Sequence, residues 1–171
     1  MRRHLVLLLA ASAVFMALCP ASAQKFTPKS IQFKGAPEYS DQELLSAAGL
    51  KQGDVLSVPE MTDHSQLLMD TGVFATLTFK FDGQDLVYTL TPATNLYPIR
   101  LQNLPLAPGP ELDSKLHALF PLYHGKVPDG GGLMEQVRAA LEKMLADEGV
   151  KATVTAVATA AQPPAKGAFV S

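Results

Sequence analysis

The sequence predicts an α+β fold in which one strand-helix-helix-strand-strand unit is used twice. The prediction rests on two stretches of the same layout. DTGVFATLTFKFDGQDLVYTL, from Asp70 to Leu90, reads as a helix end, a glycine, a strand, a tight turn and a returning strand. DEGVKATVTAVATAAQPPAKGAFVS repeats that order from Asp147 to Ser171. Ahead of each stretch lie a short alternating segment and two segments of helical periodicity, and repetition at this spacing makes one supersecondary unit the basis of the chain.

Composition bounds what such a chain can do. The 171 residues carry 14 Lys+Arg against 16 Asp+Glu, 47% hydrophobic residues and no Trp, the balance of an ordinary globular chain. No basic stripe is present to displace counterions from phosphates, so no nucleic-acid partner is expected. Residues 1–23 read as an export signal. Arg2 and Arg3 precede the apolar run Leu5–Leu18, and Ala21-Ser22-Ala23 places small residues where cleavage before Gln24 requires them. The run of roughly 14 residues is shorter than the ~20 that span a bilayer, which disfavours a retained anchor. Cys19 follows Leu18, where a lipoprotein site wants a small residue, and cleavage at Gln24 leaves a chain without cysteine, held by its core alone.

In the first copy, SIQFKG sets Ile31 and Phe33 against Gln32 and Lys34 and stops at Gly35, a strand with one buried face. Ser40 and Glu43 have capping-box spacing at the head of a helix whose stripe is Leu44, Leu45 and Ala48 and whose end is Gly49. Ser57 and Glu60 repeat the box around Pro59, opening a second helix with Met61, Leu67 and Leu68 inward and Gly72 at its close. Val73, Ala75, Leu77, Phe79 and Phe81 then share one strand face. Asp82-Gly83 is the dipeptide of a type I′ hairpin turn, and Leu86, Tyr88 and Leu90 return on the same face.

The second copy follows the same course. YPIRLQNLP alternates Ile99 and Leu101 with Arg100 and Gln102 as an opening strand. Pro110 starts a helix with Leu112, Leu116, Leu119 and Phe120 at helical spacing, ended by Pro121. Leu133, Val137, Ala140, Leu141, Met144 and Leu145 form the clearest amphipathic stripe, and Gly149 takes the part of Gly72. Val150, Ala152, Val154 and Ala156 alternate as the next strand. After the turn Pro163–Gly167 only Ala168–Ser171 remain, so the second copy is expected to lack most of its last strand and the chain to be an N-terminal fragment of a longer protein.

The element order, the GLKQGD loop at Gly49–Asp54 and above all LLMDTGVFATLTF at Leu67–Phe79 resemble the polypeptide-transport-associated (POTRA) module of outer-membrane β-barrel assembly and secretion proteins. The resemblance covers residues 29–93 well. It is fainter over 96–171, where Glu148-Gly149-Val150 keeps the helix-strand junction but Lys151 stands in the place of Phe74. It implies two modules, each of two helices on one face of a three-stranded mixed sheet with the third strand central. It further implies an exported, periplasmic, outer-membrane-associated protein that binds unfolded or extended polypeptide clients by strand addition, contacts partner subunits and performs no catalysis. A C-terminal outer-membrane β-barrel of the same full-length chain belongs to the same expectation. The binding edge maps to Val73, Phe74, Ala75, Thr76, Leu77, Thr78, Phe79 and Lys80, with Phe74, Thr76, Thr78 and Lys80 facing outward. The plain alternative for these side chains is a solvated strand face guarded by a lysine.

Other functions find little in the sequence. His64, His117 and His124 fall on two helices and a loop, and no pair has the i, i+4 or His-x-His spacing of a zinc site, so neither metal nor cofactor is expected. Asp63 beside His64 has no G-x-S-x-G elbow to serve. DGGGLMEQ lacks the Lys and Ser/Thr of a phosphate loop and reads as a flexible lead into a helix, and Met61, Met69, Met134 and Met144 read as core filler. Two alternatives to the secretion reading stand: a free-standing periplasmic scaffold of the kind used in cell division, and a small exported enzyme, the weaker of the two.

Overall fold

A computed structural model of the chain describes residues 24–160 and 168–171. The export segment, with Ala21 and Ala23 of the expected cleavage site, and the turn at 161–167 lie outside the described residues. The architecture is α+β. In the first module β1 (Lys25–Phe26) and β2 (Ser30–Lys34) precede α1 (Asp41–Ala48), β3 (Leu56–Ser57) and α2 (Val58–Asp70), and β4 (Phe74–Phe81) and β5 (Asp85–Pro92) close it. The second module runs β6 (Leu96–Pro98), α3 (Pro110–Leu119), β7 (Lys126–Pro128), α4 (Gly132–Asp147), β8 (Ala158–Ala160) and β9 (Ala168–Val170). None of the described helices is long and apolar enough to cross a membrane.

Local chemistry sets the helix ends. Both capping boxes form: Ser40 and Ser57 each accept the backbone N–H of the glutamate three residues on, and Glu43 and Glu60 accept the N–H of their serine in return. α1 ends at Gly49 in the left-handed region, and His64 on α2 donates from Nδ1 to the Ala48 carbonyl at 2.8 Å, joining the two helices.

The first module's sheet has the order β2-β5-β4, with β2 parallel and β4 antiparallel to the central β5. Its covered face is built around Tyr88, fully buried, which stacks on Phe33 at 5.3 Å and meets Phe79 at 5.8 Å. Ile31, Leu86 and Leu90 from the sheet pack with Leu44, Ala48, Met61 and Leu68 from the helices. Leu67 is half exposed, because one step of about 100° from the fully buried Leu68 carries it off the core stripe. Leu119 on α3 is also exposed, and Phe120 at the helix end turns inward in its place.

The second module repeats the order in reduced form. Ile99 bridges Val170 in parallel, the Arg100 N–H donates to the Val170 carbonyl at 2.7 Å, and β9 pairs antiparallel with β8. The opening segment, β9 and β8 therefore stand to one another as β2, β5 and β4 do. Two expectations fail here. The opening strand is Leu96–Pro98, paired with β7, and the alternation of Ile99 and Leu101 carries only the single bridge. Val150–Ala156 is not a strand, although Val154 is buried; the ladder with β9 begins at Ala158, and among the described residues no strand lies beside 150–156.

A feature absent from the sequence reading recurs in both modules. β1 pairs with β3, and β6 with β7, as short antiparallel ribbons that tie the entrance of each module to the segment leading into its second helix. These strands are two and three residues long, too short to show a period.

Candidate polypeptide-binding edge

β4 is an outer strand, paired on one side with β5 and on the other with no described strand. Its register pairs Thr76 with Thr91, Thr78 with Thr89 and Lys80 with Val87, but Phe74 with Pro92, so Ala75 is an extra residue in a bulge. The bulge changes which side chains face out. Thr76, Thr78 and Lys80 are exposed as expected, whereas Phe74 is buried and meets Tyr39 edge-on at 5.7 Å, and Ala75 is exposed. One inserted residue shifts strand parity, so Phe74 and Val73 both turn into the core. Leu77, Phe79 and Phe81 keep the covered face, where they are partly buried.

The turn at the end of β4 also differs from the type I′ expectation. Gly83 has φ 97°, and no non-glycine residue of this turn has positive φ, which is the requirement of a II′ rather than a I′ connection centred on Gly83-Gln84. Asp82 secures it: its carboxylate accepts the N–H groups of Asp85 at 2.8 Å and Gln84 at 2.9 Å, and these bonds hold its carboxyl below the usual range.

The backbone of the open side follows from this turn. The Asp82 N–H donates to the Asp85 carbonyl, and in an antiparallel pair the bonded positions alternate. Lys80, Thr78 and Thr76 therefore turn their amides to β5, and Leu77, Phe79 and Phe81 offer N–H and C=O groups to the open side.

The opposite edge is capped at Ile31. Gln52, from the loop after α1, donates its side-chain amide to the Ile31 carbonyl at 2.7 Å and accepts the Ile31 N–H at 3.0 Å. A side-chain amide thus occupies the position of a neighbouring strand on β2.

Elsewhere the structure joins residues that are far apart in sequence. Glu43 on α1, His117 on α3 and His124 after it meet where the modules touch, with the Glu43 Oε1 2.9 Å from His124 Nε2 and 3.3 Å from His117 Nε2. Burial raises the Glu43 carboxyl, but the Ser40 hydroxyl and backbone N–H, together with His124, outweigh it and bring it to about 2. Tyr39 packs on His124 at 4.9 Å, and burial, with Glu38 and Glu43 nearby, pushes its phenol up to about 12. His64 is not part of this group.

The POTRA family model, described as "Surface antigen variable number repeat", matches residues 26–93. A search of curated proteins gives no match. Among solved structures, POTRA1-3 of the periplasmic domain of Omp85 from Anabaena is similar at 12% identity and a TM-score of 0.42, over 87% of this chain and 62% of that one. POTRA1-2 of the same protein gives 14% identity and a TM-score of 0.41, over 87% and 96%. POTRA3-5 of BamA from Haemophilus influenzae gives 16% and 0.40, over 90% and 67%.

Proposed function

We propose that the chain is a periplasmic polypeptide-binding part of an outer-membrane protein assembly or secretion system. Its leader is removed before Gln24, and it receives unfolded clients by strand addition along β4 while contacting partner subunits of the same machinery. The POTRA match over residues 26–93 supports the class of function.

One observation carries the choice of edge: Gln52 fills β2's free backbone positions at Ile31, while Leu77, Phe79 and Phe81 on β4 keep theirs open. A client added here gains affinity from main-chain hydrogen bonds, which depend little on its sequence, as a receiver of many unfolded chains requires. Hydrogen exchange read by NMR tests this, with a peptide copied from an outer-membrane β-strand as client. The amides of Leu77, Phe79 and Phe81 gain protection on binding, whereas those of Thr78 and Lys80, already bonded to β5, do not. Uniform change along β4, or change confined to β2, refutes the edge assignment.

A further inference from the structure

Glu43, His117 and His124 form a site whose chemistry goes beyond an ion pair between modules. The three ligand atoms lie within 4.8 Å of one another. Glu43 and His117 are each oriented from behind. Glu43 Oε2 accepts the Ser40 N–H and the Ser40 hydroxyl, both at 2.7 Å, which leaves Oε1 facing the imidazoles. His117 Nδ1 lies 2.9 Å from the Tyr123 carbonyl, and since a carbonyl only accepts, Nδ1 carries the proton. The neutral ring then points the Nε2 lone pair at a carboxylate oxygen 3.3 Å away. Two electron-pair donors face each other there, and such an arrangement calls for a cation between them or a second proton on the ring. Asp113, the other nearby carboxylate, is engaged by the Tyr123 hydroxyl at 2.8 Å.

We propose that Glu43 Oε1, His117 Nε2 and His124 Nε2 bind a divalent metal of the zinc class and thereby clamp the first module to the second. Zn–N and Zn–O bonds of about 2.0–2.2 Å in tetrahedral geometry put ligand atoms about 3.3 Å apart. The carboxylate-to-imidazole separations are already 2.9 and 3.3 Å. Two imidazoles and one carboxylate select zinc and its neighbours over calcium or magnesium, which take oxygen ligands. Both imidazoles are partly exposed, so solvent completes the shell. The Tyr123 carbonyl on Nδ1 is the usual outer partner of a metal-bound imidazole, fixing its tautomer and its orientation.

Calorimetric titration of the untagged, metal-free chain with Zn²⁺ tests the site, with Mg²⁺ and Ca²⁺ as controls and Co²⁺ as a spectroscopic probe of tetrahedral coordination. The expected result is saturable uptake of one Zn²⁺ per chain and a raised unfolding midpoint, without response to Mg²⁺ or Ca²⁺. His124→Ala weakens uptake on the order of 100-fold, and His64→Ala leaves it unchanged. Glu43→Gln carries the same test should His124→Ala lose its cooperative unfolding, because glutamine serves a capping box as glutamate does. No saturable Zn²⁺ uptake, uptake unchanged in both site variants, or loss of uptake in His64→Ala overturns the proposal.

Discussion

Glu43 and Glu60 hold the same place in their helices, and the sequence shows both, because a capping box is a contact between residues three apart. Glu60 takes the Ser57 hydroxyl and backbone N–H and the Lys25 ammonium, and these bring its carboxyl down to about 2. A carboxylate lowered by folding adds stability that is complete above its ordinary value, near 4.5, and is lost as pH falls from there toward 2. Glu60→Gln therefore flattens the acid limb: urea midpoints of the variant fall less steeply than wild type across that window, and Glu43 and Asp82 contribute to the slope that remains. Parallel curves would contradict this. Gln52 and the His117–His124 pair were illegible by the same logic inverted. Gln52 reads as a loop residue until the sheet places it beside Ile31, and Glu43 and His124 are separated by 81 positions. Removing the clip in Gln52→Ala leaves the Ile31 N–H and C=O unpartnered and is expected to cost about 1–2 kcal/mol in urea unfolding, with concentration-dependent self-association through the opened β2 edge. A monomer of wild-type stability would contradict the capped-edge reading.

At the scale of elements, the periodicities were reliable where a partner strand or a helix stripe exists to reward them. The α4 stripe is buried at Leu133, Val137, Ala140, Leu141 and Leu145, and the β5 alternation is buried at Leu86, Tyr88 and Leu90. Alternation failed in three places, at Ile99 and Leu101, in β4 and in Val150–Ala156, and the last two show the terms that pattern reading omits. In β4 a bulge at Ala75 shifted parity and took Phe74 inward; in Val150–Ala156 the pattern is present but the ladder is not. That segment is instead pinned at one point, where the Val154 N–H donates to Glu142 at 2.8 Å and Arg138 reaches the Val154 carbonyl at 3.4 Å. Native-state exchange should therefore show Val154 protected above Thr153 and Thr155, and Glu142→Ala should erase the difference. A continuous protected run from Thr153 to Val157 would mean that a strand forms there.

At the scale of the whole molecule, the two modules are joined by backbone as well as by side chains, and the glycines of DGGGLMEQ make this possible. The run reads as a flexible lead into α4, yet it lies against the end of α2. The Leu133 N–H donates to the Thr71 carbonyl at 3.1 Å, and Asn95 reaches Asp129 across the same junction. A Cβ on Gly131 would sit 3.0 Å from the Gly72 Cα and 3.1 Å from the Thr71 carbonyl oxygen, and one on Gly72 would sit 2.7 Å from the Gly130 carbonyl oxygen. Neither position can yield cheaply, since the obstacles are backbone atoms. Gly131→Ala is therefore expected to open the seam and make the modules unfold as two separate calorimetric transitions, the second module first because its sheet is the smaller. Gly131 also has φ 98°, so the substitution carries strain of its own. Gly125→Ala separates the two effects: Gly125 has φ 74° but nothing within 4 Å of its Cβ position, so it suffers the strain without the clash. That variant is expected to lose about 1–2 kcal/mol and keep the wild-type coupling between modules. If both variants split the transition alike, backbone strain rather than close approach governs the junction; if neither does, the glycine contact does not couple the modules.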